Sequence, residues 1–172
     1  VSTGMDLAVY RAVLEWAART RFLEVVTVRG TMVVALDVEG APLSAYRVSR
    51  LAEEAFYDGL TFHRVVPNFV AQGGDPRGDG WGGPSFTLRH ELSLAPYNAG
   101  VVGLAHSGPD TAGSQLFVTV TPQPHLTGRY PVLGRVVAGL EVASRLRQVR
   151  QSPQPTKGSQ RSKAPTFTYG PA

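Results

Sequence analysis

Phe62-His63-Arg64-Val65-Val66-Pro67-Asn68-Phe69-Val70-Ala71-Gln72-Gly73-Gly74-Asp75 sets an arginine and a glutamine among aromatic and aliphatic residues. On a strand, period-two alternation places Phe62, Arg64 and Val66 on one face and His63 and Val65 on the other. A second strand-like run, Gly113-Ser114-Gln115-Leu116-Phe117-Val118-Thr119, puts Gln115 and Phe117 on one face. Spacing alone favours the simpler reading, ordinary strands with an exposed Arg. His63, inside an apolar run, reads as a hydrogen-bonded core residue rather than a base.

Working outward, short apolar runs (61–66, 69–72, 101–105, 115–120, 132–137) alternate with Gly/Pro/Asn loops. Upstream, Leu23–Val28 and Thr31–Leu36 are rich in β-branched residues, and Arg29-Gly30 between them signals a hairpin. Pro42 opens a helical pattern with Ser44, Val48, Leu51, Ala52 and Ala55 on one face, and Asp58-Gly59 ends it. Residues 5–20 form an amphipathic helix by the spacing of Leu7, Tyr10, Val13, Leu14 and Ala17. A last helix is expected over Leu140–Val149, and Thr166–Tyr169 is a weak candidate for a terminal strand. Gly 19 and Pro 13 exceed the usual share of about 12% and favour many turns. Helices set among many short strands imply a β-barrel or sandwich with helical caps. The organisation expected is an N-terminal helical extension (1–22), a main domain (23–150) and a basic Pro/Ser-rich tail (151–172).

Composition removes several functions. The 172 residues include no cysteine, which excludes disulfides, thiol nucleophiles and thiolate zinc sites. The net charge of +4 is unevenly spread: Arg145, Arg147, Arg150, Lys157, Arg161 and Lys163 face no acid in the last 28 positions. Before them the acids outnumber the arginines, so net charge does not point to a nucleic-acid-binding domain. No run of about 18 apolar residues signals a membrane span. The start, Val1-Ser-Thr-Gly-Met5-Asp, has no signal-peptide pattern and no initiator Met, consistent with part of a longer chain; localisation stays open. Gly78, Gly80 and Gly83 satisfy G-x-G-x-x-G, but Pro84 and the strand-like Ser85–Leu88 follow where a phosphate site needs a helix. The motif reads as a loop. Four histidines lack metal-ligand spacing, and Ser114 lacks a nucleophile elbow, so neither a metal nor another cofactor is expected.

FHRVVPNFVAQGGDPRGDGWGG (62–83), GLAHSGPDTAGSQLFV (103–118) and PHLTGRYPVLGRVVAG (124–139) together resemble the cyclophilin family of peptidyl-prolyl cis-trans isomerases. The resemblance covers roughly Val25–Val149, leaves the N-terminal helix outside, and looks bacterial in its glycine loop and in His106 and His125. It implies a closed eight-stranded antiparallel β-barrel capped by two helices, Pro42–Phe56 and Leu140–Val149, with an active groove on the outer surface. It assigns the catalytic Arg to Arg64 and maps the proline pocket to Phe69, Val70, Phe117 and Leu126. Gln72 would orient Arg64 and bind substrate backbone, with Gln115 nearby. Ala105 and His106 would line the groove for the residue preceding proline. Tyr130 replaces a common His at the pocket edge, His106 a common Asn, and Leu116 a frequent aromatic. His125 stands where many eukaryotic members carry the Trp that binds cyclosporin, which implies weak cyclosporin sensitivity.

The residues suit that chemistry. Twisting an X-Pro bond breaks amide resonance at a barrier of roughly 18–20 kcal/mol. No covalent bond is broken, so neither nucleophile nor metal is needed. Arg64 offers a fixed charge and a planar donor fork without proton exchange. The expected partners are proline-containing polypeptides bound by a monomeric barrel. Two alternatives stay open: a module that holds proline segments without turning them over, and an anionic-partner tether built on the basic tail.

Overall fold

The structure, a computed structural model, describes residues 7–146 and 166–171. The chain runs α1 (Leu7–Ala17), β1 (Arg21–Thr27), β2 (Gly30–Leu36), α2 (Pro42–Glu53), β3 (Arg64–Val66), β4 (Val70–Gly73), β5 (Val101–Leu104) and β6 (Leu116–Thr119). A 3-10 turn (Pro124–Leu126), β7 (Val132–Ala138), α3 (Leu140–Arg145) and β8 (Thr166–Pro171) follow. The eight strands form one antiparallel sheet in the order β3-β4-β6-β5-β7-β2-β1-β8. The fold is mainly β, as expected, but the closed barrel is not observed. Among the described residues β3 and β8 are the two ends of the order, and no ladder joins them. The sheet is curled and open at that seam. The shortness of β3 accounts for this: it has three residues and is followed at once by Pro67, which has no N–H to offer a further strand.

The β1–β2 register pairs Thr27 with Gly30, so the turn is Val28-Arg29, one residue before the expected Arg29-Gly30. Thr27 Oγ1 decides it, accepting the Arg29 N–H at 3.0 Å and donating to the Gly30 carbonyl at 2.9 Å. Gly30 itself has φ +130°, a conformation that disfavours any side chain there. The weak terminal-strand candidate is real: β8 pairs with β1 from Arg21–Pro171 to Val26–Thr166.

Pro42 starts α2 as expected, and the helix's free N–H groups are satisfied from a distant loop. Glu91 accepts the N–H groups of Leu43 (3.0 Å) and Ser44 (2.7 Å) and the Ser44 hydroxyl (2.6 Å). A carboxylate at this end also complements the helix dipole. The helix ends at Glu53, short of Phe56, and Ala55 adopts φ +55°. The helix α3 likewise stops at Arg145, with Leu146 extended; the expected continuation to Val149 and the basic run Arg147–Lys163 lie outside the described residues.

The interior core is built by Leu23, Val34, Leu104, Leu116, Val118 and Leu133, all essentially inaccessible, with Val48, Leu51 and Ala52 of α2 against them. The helix α1 is a third helix, packed on α2 through Trp16, whose ring meets Tyr46 edge-on at 5.6 Å. Arg21 closes the connection, donating to the Trp16 carbonyl at 3.0 Å. Of the apolar face expected for this helix only Val13 is buried; Leu7, Tyr10 and Leu14 are exposed among the described residues.

Candidate active site

Strand register assembles the site. Arg64 on β3 pairs with Gln72 on β4, and Gln72 pairs with Phe117 on β6. Residues directly opposite in antiparallel strands share a face, so arginine, glutamine and phenylalanine stand in one row on the outside of the sheet. Val70 lies on the same outer face, while Ala71, Leu116 and Val118 point inward to the core. Phe62 departs from the expected alternation. It precedes β3 and is buried in the interior core with Val65, not beside Arg64.

A cavity of about 140 Å³ opens on this row. Arg64, Phe69, Val70, Gln72, Ala105, His106, Phe117, Leu126 and Tyr130 line it. The two other residues singled out from the sequence do not line it but touch residues that do. His125 stacks on Phe69 with ring centres 5.7 Å apart. Gln115, nearly buried, accepts from Gln72 Nε2 at 3.0 Å. Gln115 Nε2 then donates to the carbonyls of Gly80 and Gly82, both at 2.9 Å. At the open end, Arg64 Nη1 approaches Gln72 Oε1 at 3.5 Å, and its guanidinium lies 5.6 Å from the centre of the Phe69 ring.

His106 ties two loops together. Its Nδ1 accepts the Gly108 N–H at 3.1 Å and its Nε2 lies 2.9 Å from the Arg129 carbonyl. The ring also meets Tyr130 at 4.6 Å, and Tyr130 meets Phe117 edge-on at 5.5 Å.

Two supports escaped the sequence reading. Tyr97 is buried, stacks on Phe117 at 5.8 Å, and donates to the Pro131 carbonyl at 3.0 Å; burial pushes its phenol pKa up. It lies in an irregular stretch without periodicity, so no local pattern marks it. Asp75 is 1% exposed and closes the glycine loop by accepting the N–H groups of Arg77 (2.7 Å) and Gly80 (2.5 Å). Burial pushes its pKa up, but the backbone N–H groups of Arg77, Gly80, Gly82 and Gly78 outweigh that and hold it below the ordinary value. The G-x-G-x-x-G stretch is therefore a loop, with a carboxylate at its base. An aspartate followed by glycines at these spacings was the available signal.

His63 differs from expectation. Both ring nitrogens are buried and neither has a hydrogen-bond partner among the described residues. Burial lowers its pKa, with Asp75 opposing. Among the described residues, no group of three or more His, Asp or Glu side chains is placed to hold a metal ion.

The family model described as "Cyclophilin type peptidyl-prolyl cis-trans isomerase/CLD" matches residues 22–164. The chain belongs to the cyclophilin family. Peptidyl-prolyl cis-trans isomerase B of Bacillus subtilis is 50% identical over 110 residues, covering 63% of this cyclophilin and 77% of the relative. Peptidyl-prolyl cis-trans isomerase ppi1 of Schizosaccharomyces pombe is 41% identical over 133 residues, covering 74% and 86%. A crystal structure of a Cryptosporidium parvum cyclophilin-type isomerase superposes with TM-score 0.73 at 24% identity, over 90% of this chain and 99% of the other, which speaks for the fold. This cyclophilin is a peptidyl-prolyl cis-trans isomerase. Its substrates are proline-containing peptides, and none of its described helices is long and apolar enough to cross a membrane.

Proposed function

We propose that Arg64, Gln72 and Phe69, around the apolar depression floored by Phe117, carry out the isomerisation. Val70, Phe117 and Leu126 hold the proline ring and keep water from it, with Tyr130 at the rim. Ala105 and His106 receive the residue before proline. Gln115 and His125 act beside the pocket, one through Gln72 and the other on the outer side of Phe69. The register that sets Arg64 opposite Gln72 and Gln72 opposite Phe117 carries this reading, because it brings one fixed cation to the edge of an apolar pocket.

In the twisted amide the prolyl nitrogen is pyramidal and basic, and charge on the carbonyl is redistributed. A guanidinium donor oriented by Gln72 favours that state over either planar isomer, and each ~1.4 kcal/mol of selective stabilisation gives about tenfold in rate. Stacking on Phe69 restrains the guanidinium before substrate arrives. A proteolysis-coupled assay on a short X-Pro peptide tests the assignment. Arg64→Ala is expected to lower kcat/KM by about 10²–10³, the usual cost of removing a transition-state donor. Arg64→Lys, which keeps the charge but not the fork, is expected to recover only part of it. An Arg64→Ala protein as active as its parent would overturn the catalytic role.

A further inference from the structure

The proline pocket is the first of three depressions in series. The second, of about 290 Å³, shares Gln72, Ala105 and His106 with it and is walled by the glycine loop. The third, of about 520 Å³, shares Phe86 and Thr87 with the second and is lined by Arg47, Arg89 and Asp110. Phe86 is thus the partition between the second and third depressions, and the Arg47 guanidinium lies 5.4 Å from its ring centre.

Charge in the third depression is unbalanced. Neither Arg47 nor Arg89 forms an ion pair among the described residues. Glu91, close in sequence, has both carboxylate oxygens committed to the N-terminus of α2. Asp110 is the single acid in the lining, and its Oδ1 already accepts the His90 N–H at 2.7 Å. Two guanidiniums therefore face one partly engaged carboxylate. Arg47 is also braced by an aromatic face, which restrains its long side chain.

We propose that this third depression is a subsite for an acidic side chain of the polypeptide substrate, upstream of the isomerised proline. The inference rests on the groove reading given above: with the residue before proline at Ala105 and His106, the chain upstream crosses the second depression toward Phe86. An extended strand advances about 3.3–3.6 Å per residue, so a carboxylate several residues before proline is within reach of Arg47 and Arg89.

The test compares peptides that share one X-Pro bond and carry a single Glu, or a Gln, scanned along the upstream positions. Each is measured for kcat/KM and, separately, for direct binding by fluorescence anisotropy. At one position Glu is expected to be favoured over Gln by about two- to tenfold, the range of two solvent-accessible ion pairs, and to lose that advantage as salt is raised. Arg89→Gln should reduce the ratio and Arg47→Gln/Arg89→Gln abolish it. Asp110→Asn should enlarge it, since Asn keeps an acceptor for the His90 N–H while removing the competing charge. No position favouring Glu, or a preference that survives the double substitution, overturns the subsite. Absence of turnover on every peptide would instead overturn the catalytic assignment, and the anisotropy ratios would still decide the subsite.

Discussion

Asp75 touches no substrate in the arrangement described, yet Asp75→Asn is expected to damage both stability and catalysis. Asn keeps one carbonyl oxygen but turns an NH2 toward the second N–H, so one of the two bonds to Arg77 and Gly80 becomes a donor facing a donor. A hydrogen bond to a charged group contributes about 1.5–3 kcal/mol, and an orphaned buried donor costs a similar amount. The net expectation is a loss of about 2–3 kcal/mol, or about 5–10 °C in melting midpoint for a domain of this size. The effect on rate follows from Gly80, which gives its N–H to Asp75 and its carbonyl to Gln115. Gln115 holds Gln72, and Gln72 meets Arg64. A loosened glycine loop thus reaches the guanidinium through two side chains, Gln115 and Gln72, and a fall of about tenfold in kcat/KM is expected from its misplacement. Denaturant unfolding measures the first quantity, and the proteolysis-coupled assay, run well below the melting midpoint, measures the second. Gly82→Ala should reproduce both losses, because a Cβ there would overlap Asp75 Oδ1. An Asp75→Asn protein within about 0.5 kcal/mol of its parent would refute the anchoring role. Lost stability with unchanged kcat/KM would refute the relay to Arg64.

Further outcomes follow from the same geometry. Stability should fall on acidification in two stages: burial depresses the pKa of His63, so the unfolded chain takes up its proton first, from about pH 6.5 downward. The Asp75 contribution, intact above the ordinary carboxylate value of about 4, is lost as pH falls through its own lower one. Denaturation midpoints across pH would check this, and His63→Leu should flatten the first stage only. Phe117→Ala, which empties the floor between Tyr97 and Tyr130, should cost about 3–5 kcal/mol and weaken peptide binding. Cyclosporin should inhibit weakly, and His125→Trp should improve its affinity about tenfold by adding aromatic area and an indole donor; nanomolar inhibition of the unmodified protein would contradict the assignment.

Elements whose reasons are local were readable from the sequence. Pro42 and the spacing of Val48, Leu51 and Ala52 gave α2, and the apolar runs located β3 to β7 to within a few residues. The β1–β2 turn was displaced by one residue because a hydroxyl, Thr27 Oγ1, chose it over the glycine. The exposed side of α1 could not be read, since periodicity reports a face but not whether a second layer covers it. The row Arg64–Gln72–Phe117 depends on the β4–β6 register, which sets Gln72 against Phe117 across 45 positions and which no single stretch encodes. Asp75 did leave a local signal, since its partners Arg77 and Gly80 lie two and five positions on, whereas Tyr97 was missed because its partner Phe117 becomes a neighbour only in the folded chain. Gly103 is of the same kind, as a Cβ there would overlap Tyr97 Oη and stand 2.5 Å from Phe117 Cζ.

The wall formed by β4 and β6 has a consequence for how this protein can change over generations. Ala71, Leu116 and Val118 face the core, while Val70, Gln72 and Phe117 face the groove. Neighbouring letters of the same strand therefore answer to different selective pressures, one for persistence of the fold and the other for the choice of client. Substitutions at groove positions can drift toward new peptides while the inward set stays fixed. A single-residue insertion or deletion in either strand would exchange the two roles at once, so this lineage is free to vary in side chain and bound in length.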